Sequence, residues 1–188
     1  MNKVAIDRTV KNVGGLTVIV ISKPEFKTSY AFYATRYGSI NNRFSFGKKE
    51  YVLPEGIAHF LEHKMFEKPY GDIFEKYAKL GADANAFTSF DLTGYLFSST
   101  DNFYEALDFL CELVNEPYFT PETVEKEQGI IGQEIRMGLD NPNNRCFYAL
   151  LENLFYNHPV KIDIAGSEES IAKITSGLLY ACHDAFYR

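Results

Sequence analysis

Two histidines four residues apart, His59 and His63, are the feature of this sequence that most limits how it can fold and function. They lie in residues 54–66, where a proline followed by an acid begins a predicted helix and Pro69 lies just beyond its end. Helical residues four apart lie one turn apart on the same face, so two imidazole nitrogens can approach one metal ion. Glu62 borders the same place and offers a carboxylate that can accept a proton.

The same pattern has a simpler explanation, because a short motif can occur by chance. Two surface histidines on an amphipathic helix, with the glutamate in an ordinary contact one turn away, would give the same sequence. In that case Ala58, Phe60 and Leu61 would form the buried side of the helix. A catalytic zinc needs three protein ligands and one open position, so the metal interpretation predicts a third ligand elsewhere in the chain.

A second predicted helix offers acids for that third position. It begins with the capping hydroxyl of Thr120 and a proline, and it is predicted to run to about Met137. Glu127 and Glu134 are two turns apart on it and share a face, with two isoleucines between them. If that face is buried, the acids need a partner such as a metal, because an unpaired buried charge is costly. If it is exposed, both are ordinary solvated acids. The spacing alone does not decide between Glu127 and Glu134.

The remaining elements follow from hydrophobic spacing. Strands are predicted over residues 16–21, 29–37, 83–89 and 92–98, and further helices over residues 71–80, 101–115, 146–156 and 168–187. The segment 39–54 is rich in glycine, asparagine and lysine and is predicted as a loop or a ragged strand end. No shift in composition marks an internal boundary, so the chain is predicted to form one α+β domain.

Charge and cysteine usage limit the partners and the cellular compartment that we expect for this chain. The 188 residues include 19 Lys and Arg against 25 Asp and Glu, and the net charge of −6 should repel nucleic acid and anionic membrane surfaces. No apolar run approaches the roughly 18 residues that a membrane span needs, and the first residues show no secretory signal. Three separated cysteines argue against a disulfide framework or a cysteine zinc site. We therefore expect a cytoplasmic protein with no nucleic-acid or membrane partner.

Longer segments of the sequence, which include the one that contains His59 and His63, form a more specific pattern than the two histidines alone. Three of them, in chain order, are GIAHFLEHKMFEK, GADANAFTSFDLTGYLFSS and EPYFTPETVEKEQGIIGQEIRM. Together they resemble the insulinase/pitrilysin family of zinc metallopeptidases, which carries the inverted zinc motif H-x-x-E-H. A fourth stretch, NHPVKIDIAGSEESI, is similar to the small bacterial members, the processing-peptidase-like branch. The resemblance covers residues 16–187.

The resemblance implies a role for each member of the motif. His59 and His63 match ligands of a zinc ion, Zn²⁺, and Glu62 matches the general base that takes a proton from the attacking water. Glu134 matches the third ligand, and Glu127 matches a supporting catalytic acid. The separation between His63 and Glu134 is a little shorter than is usual in the family, which leaves Glu127 as the rival ligand.

The resemblance also implies where a substrate binds. Asn85, Ala86, Phe87 and Thr88 match the edge strand on which these enzymes lay an extended peptide, held mainly by backbone hydrogen bonds. Asn85 is the side chain there that we most expect to touch substrate. The alternative for Ala86, Phe87 and Thr88 is a plain half-buried strand.

The implied fold is an α+β domain with a mainly antiparallel sheet and helices packed on one face. The implied function is zinc-dependent endopeptidase activity on short or unfolded peptides. Because two homologous halves close into a chamber in this family, residues 1–188 resemble a single zinc-bearing catalytic N-terminal domain truncated at its C-terminal end. Such a domain is expected to bind zinc but to have little activity without a second half or subunit.

Two other functions stay open. One is a catalytically silent scaffold or partner subunit of the same fold, against which the intact motif argues. The other is a metal-free helical interaction domain that carries the motif by chance, for which we expect no zinc in the purified protein.

Overall fold

The computed structural model of the protein describes residues 8–188. Its strands are β1 (Arg8–Val13), β2 (Leu16–Ile21), β3 (Ser29–Thr35), β4 (Arg43–Phe46), β5 (Lys49–Val52), β6 (Glu67–Lys68), β7 (Gly71–Asp72), β8 (Asp83–Thr88) and β9 (Thr93–Ser99). Its helices are α1 (Ile57–Met65), α2 (Phe74–Lys79), α3 (Phe103–Asn115), α4 (Pro121–Asp140), α5 (Pro142–Leu154), α6 (Glu168–Ile171) and α7 (Ser176–Phe186). Within this part of the chain, no helix combines the length and apolar character needed to cross a membrane.

The centre of the fold is a three-stranded antiparallel sheet in the order β3-β9-β8. Side chains alternate between its faces, so Tyr95 and Phe97 of β9 are fully buried on the inner face, while Phe32 and Phe87 lie on the other face and are partly exposed. Helices α1 and α3 contact β9, and α2 contacts β8. Pairs β1–β2, β4–β5 and β6–β7 form separate antiparallel hairpins. The predicted α+β fold, with a mainly antiparallel sheet and helices on one face, is confirmed.

Several predicted segments differ from the structure. The predicted helix 71–80 is wrong at its start, where Gly71–Asp72 form strand β7, and α5 begins at Pro142, before the predicted start at residue 146. Residues 39–54 are predicted as a loop or a ragged strand end, whereas they contain the regular hairpin β4–β5, in which the rings of Phe44 and Tyr51 stack with centroids 4.9 Å apart. The predicted helix 168–187 is two helices, α6 and α7. It breaks because the Thr175 side chain accepts a hydrogen bond from the backbone N–H of Leu178 and so begins a new helix.

Helix α1 is fixed at its start by close backbone contacts. Gly56 precedes the helix in the left-handed region, with a φ of 86°. A Cβ at this position would lie 2.3 Å from the carbonyl oxygen of Ala165. The Ser170 hydroxyl also donates a 2.8 Å hydrogen bond to the carbonyl oxygen of Glu55. The loop before α6 and α6 itself therefore hold the N-terminal end of the helix that carries both histidines.

Substituting Gly56 by alanine should destabilise the chain by at least about 2 kcal/mol, since it adds left-handed strain and a clash with backbone. Urea unfolding of the zinc-free chain measures the effect. Gly129 is the matched control, because it lies inside α4 with nothing within 4 Å of an added Cβ. Gly129→Ala should stabilise the chain by about 1 kcal/mol. A Gly56→Ala variant as stable as the wild type would contradict the packing described.

Helix α4 begins as its sequence predicts and continues three residues beyond the expected end. Thr120 accepts a hydrogen bond from the backbone N–H of Thr123, and Pro121 occupies the first turn. Ile131 is fully buried, and α4 contacts α1. This packing brings the acidic face of α4 beside the histidines of α1.

Candidate metal centre

His59 and His63 lie on one face of α1 with ring centroids 4.6 Å apart. The Nε2 atom of His59 is 3.7 Å from Oε1 of Glu134, and Nε2 of His63 is 3.6 Å from Oε2 of the same carboxylate. One ligand atom from each of the three residues can be chosen so that all lie within 4.8 Å of one another. Two imidazoles and one carboxylate therefore converge on a common point.

These residues fit a zinc ion. Zinc bonds of about 2 Å in a tetrahedral arrangement place ligand atoms about 3.3 Å apart, close to the nitrogen–oxygen distances between the histidines and Glu134. Two histidines and a glutamate are also a donor set of catalytic zinc sites, with a fourth position left open. The pKa of His59 is lowered to about 4, mainly by burial and also by the neighbouring His63, while Glu127 opposes the shift. His59 is therefore neutral near pH 7, the form in which imidazole binds a metal.

Glu127 occupies a different position from Glu134. Its Oε1 lies 3.1 Å from Nδ1 of His63, and its side chain is only 13% exposed. With the proton placed on Nδ1, His63 donates to this carboxylate and keeps the Nε2 lone pair free, an arrangement common among metal-binding histidines. Burial lowers the pKa of His63, but the hydrogen bond to Glu127 and the charges of Glu62, Glu127 and Glu134 outweigh burial and raise it. Which of the two acids is the ligand stays a prediction that zinc affinities can test.

Glu62 lies beside the histidines and is 7% exposed. Its Oε2 accepts a 2.9 Å hydrogen bond from the Thr88 hydroxyl. Burial raises the pKa of Glu62, the Thr88 hydrogen bond and His63 lower it, and Glu134 raises it, with a net rise. A carboxylate with a raised pKa that also lines the groove next to the histidines is suited to accept and return a proton.

The predicted substrate strand β8 forms one wall of that groove. Asn85, Ala86, Phe87 and Thr88 all line an open groove of about 710 Å³ that also contains His59. β8 is an edge strand, and the Asn85 side chain accepts a 2.8 Å hydrogen bond from the backbone N–H of Ala86. Phe87 is 44% exposed and its ring stacks on Phe32. The strand edge, the histidines and Glu62 therefore share one groove.

Acidification should destabilise the zinc-free chain through His59. Because the pKa of His59 falls from 6.5 to about 4 on folding, the unfolded chain binds more protons between these values. The stability contributed by neutral His59 is present above pH 6.5 and is lost as the pH falls towards 4, by on the order of 3 kcal/mol. Urea unfolding of the wild type and His59→Asn from pH 4 to 7 measures this. Equal pH slopes in both proteins would contradict it.

Lys64 was not anticipated from the sequence. It is fully buried between α1 and α4, where its Nζ forms an ion pair with Glu67 and donates a 3.3 Å hydrogen bond to the carbonyl oxygen of Thr123. It thus ties the end of α1 to the first turn of α4. Helical spacing could have predicted that Lys64 is buried, since it follows the buried Phe60 by one turn.

Comparison with known proteins identifies the family. A model of the insulinase peptidases, peptidase family M16, matches residues 49–168, which include both histidines, all three site glutamates and strand β8. The chain belongs to the insulinase family. The family predicted from the motif and its flanking stretches is therefore confirmed.

Relatives within the insulinase family are named as zinc proteases. A Bacillus subtilis protein named as an uncharacterized zinc protease, YmfH, is 56% identical over 179 residues, which cover 94% of this chain and 42% of that protein. A crystal structure of an M16-like peptidase from Alicyclobacillus acidocaldarius is 42% identical, with a TM-score of 0.94, and the match covers 99% of this chain and 44% of that one. These relatives support a peptidase of the zinc protease type.

A third similarity shows the fold alone. The structure of a peptidase M16 inactive domain from Pseudomonas fluorescens is 21% identical with a TM-score of 0.80, and the match covers 95% of this chain and 43% of that one. In all three comparisons this chain spans less than half the length of the relative.

Proposed function

We propose that residues 1–188 form the zinc-bearing domain of an endopeptidase that hydrolyses short or unfolded peptides. One observation carries the proposal: the Nε2 atoms of two histidines and the carboxylate of Glu134 converge beside Glu62 in a groove walled by an open strand edge. The names of the relatives support zinc as the metal.

Each residue of the site has a distinct task in amide hydrolysis. His59, His63 and Glu134 would hold the metal, and Glu127 would keep the Nδ1 proton of His63 in place. A bound zinc supplies a Lewis acid that polarises the scissile carbonyl group and makes water a better nucleophile at neutral pH. Glu62 takes the proton from the attacking water and returns it to the leaving amine.

Strand β8 would hold the substrate in an extended form. A peptide that pairs with the open edge would replace the Asn85 side chain at the backbone N–H of Ala86. Since backbone groups make these bonds, the strand makes little demand on the substrate sequence. Asn85 and Phe87 face the outer side of β8, where they would contact alternate side chains of the peptide.

We further propose that the chain binds zinc by itself but needs a second homologous half for efficient hydrolysis. The coverage of its relatives supports this, because residues 1–188 match 42% of YmfH and 44% of the Alicyclobacillus peptidase. A catalytically silent partner subunit is the alternative, and the name of the Pseudomonas fluorescens neighbour calls that domain inactive. Against it, this chain retains His59, Glu62, His63 and Glu134.

Peptide hydrolysis tests the proposal. The experiment compares this chain with an extended form, in which the chain continues at its C-terminal end to the length of its relatives. We expect the extended form to cleave an unstructured fluorogenic peptide, a chelator to stop cleavage and added zinc to restore it. The chain alone should be much slower. An extended form that binds zinc but cleaves no peptide would overturn the peptidase proposal and favour the silent subunit.

A further inference from the structure

We propose that Thr88 is a positioning residue for catalysis, which acts by holding the Glu62 carboxylate through its hydroxyl group. The inference rests on the proposed function, because it concerns how the general base of that reaction is oriented. It gives Thr88 a task separate from the backbone contact with substrate that the family resemblance implies.

The contact is specific in its geometry. The Thr88 hydroxyl donates to Oε2 of Glu62 over 2.9 Å. Among residues 8–188 it is the one hydrogen-bond donor to this carboxylate, and Oε1 receives none. One oxygen of the base is therefore held in place while the other is left to exchange a proton in the groove.

Strand alternation explains why the hydroxyl points at the base. Along β8, Ala84, Ala86 and Thr88 are half-buried on the face towards α1, whereas Asn85 and Phe87 are exposed on the other face. The first two inner residues are alanines, which have no polar side chain. Thr88 is thus the residue of this strand whose side chain can reach Glu62 with a hydrogen-bond donor.

The surroundings leave Glu62 dependent on this bond. The side chain is 7% exposed, so water cannot fully replace a lost donor, and a buried acceptor without a partner is costly. Without the hydroxyl, the carboxylate can rotate about its terminal torsion, which has broad minima. The expected result is slower proton transfer, with unchanged zinc binding and unchanged peptide binding.

A purely structural bond would behave differently, and Thr93 provides the comparison. Thr93 lies directly opposite Thr88 in the register, is fully buried and donates a 2.7 Å hydrogen bond to the carbonyl oxygen of Tyr37. Removal of either hydroxyl by valine costs one hydrogen bond at nearly constant volume. Only the Thr88 hydroxyl contacts the base.

The first test uses the zinc-loaded extended form. Thr88→Val should lower kcat about tenfold to a hundredfold and change KM less than about twofold, because misplacement of a reacting group slows the chemical step. Thr88→Ser should restore kcat to within about threefold of the wild type. Thr93→Val should leave kcat unchanged, and zinc content should be equal in all four proteins. A normal kcat in Thr88→Val, or a serine variant as slow as the valine variant, would overturn the inference.

The second test needs no activity and uses the zinc-free chain of 188 residues. Thr88→Val should lower the melting temperature by about 3 °C when Glu62 is present and by less than about 1 °C in a Glu62→Ala background. Equal shifts in both backgrounds would show that the hydroxyl does not act through Glu62 and would overturn the inference.

The activity of the wild-type extended form separates a failure of the role of Thr88 from a failure of the peptidase proposal. If the wild-type extended form cleaves peptide and Thr88→Val does so equally well, the proposed function stands and the role of Thr88 fails. If the wild-type extended form cleaves nothing, the peptidase proposal fails and the catalytic role of Thr88 falls with it, whatever the melting temperatures show.

Discussion

Replacing Glu134 with alanine should lower the zinc affinity of the chain by about a thousandfold or more, because it removes a direct bond to the metal. Replacing Glu127 with alanine should lower the affinity by about tenfold to a hundredfold, as expected for a residue that orients a ligand. The difference follows from the ring nitrogens that the two acids face. Glu134 lies 3.6–3.7 Å from both Nε2 atoms, whereas Glu127 lies 3.1 Å from Nδ1 of His63.

Competition with a chelating dye measures these affinities on the purified chain. Glu125→Ala is the matched control, since Glu125 is an exposed acid of the same helix and is absent from the lining of the groove. It should bind zinc as the wild type does. If Glu127→Ala weakened zinc binding more than Glu134→Ala, the third ligand would have to be reassigned to Glu127.

Glu62→Gln should abolish most hydrolysis while it leaves zinc binding intact. Glutamine has nearly the same shape as glutamate and can still accept the hydrogen bond from Thr88, but it cannot take a proton from water. We expect kcat of the extended form to fall by about a hundredfold to ten-thousandfold. Peptide cleavage and zinc content are measured on the same preparation.

A comparison of Glu62→Gln with His63→Ala distinguishes the general base from the metal ligands. In Glu62→Gln, zinc content should stay near that of the wild type, whereas in His63→Ala both zinc and cleavage should be lost. A Glu62→Gln protein that cleaves peptide at the wild-type rate would remove Glu62 from the chemical step. A Glu62→Gln protein without zinc would instead place Glu62 among the ligands.

Local chemistry made parts of the fold predictable. Thr120 and the following proline predict the start of α4, because a cap and its first turn depend on adjacent residues. The sequence does not predict the hairpin β4–β5, partly because Phe44 also packs against Phe186, which is distant in sequence. The break between α6 and α7 was missed although Thr175 carries a local capping signal.

The candidate site also combines features that the sequence predicts with features that it does not. The shared face of His59 and His63 follows from helical spacing and could be predicted. The choice between Glu127 and Glu134 could not, because both lie on one face of α4, and only the packing of α4 on α1 separates the acid at Nδ1 from the acid at Nε2. The bond between Glu62 and Thr88 joins a helix to a strand and has no signal in the sequence.

The zinc content of the purified chain tests directly whether His59, His63 and Glu134 form a metal site. We expect one zinc ion per wild-type chain, removable by a chelator and recovered on addition of zinc, and less than about a tenth of that amount in His59→Ala. A folded wild-type chain that takes up no zinc, or a His59→Ala chain that holds as much zinc as the wild type, would contradict it.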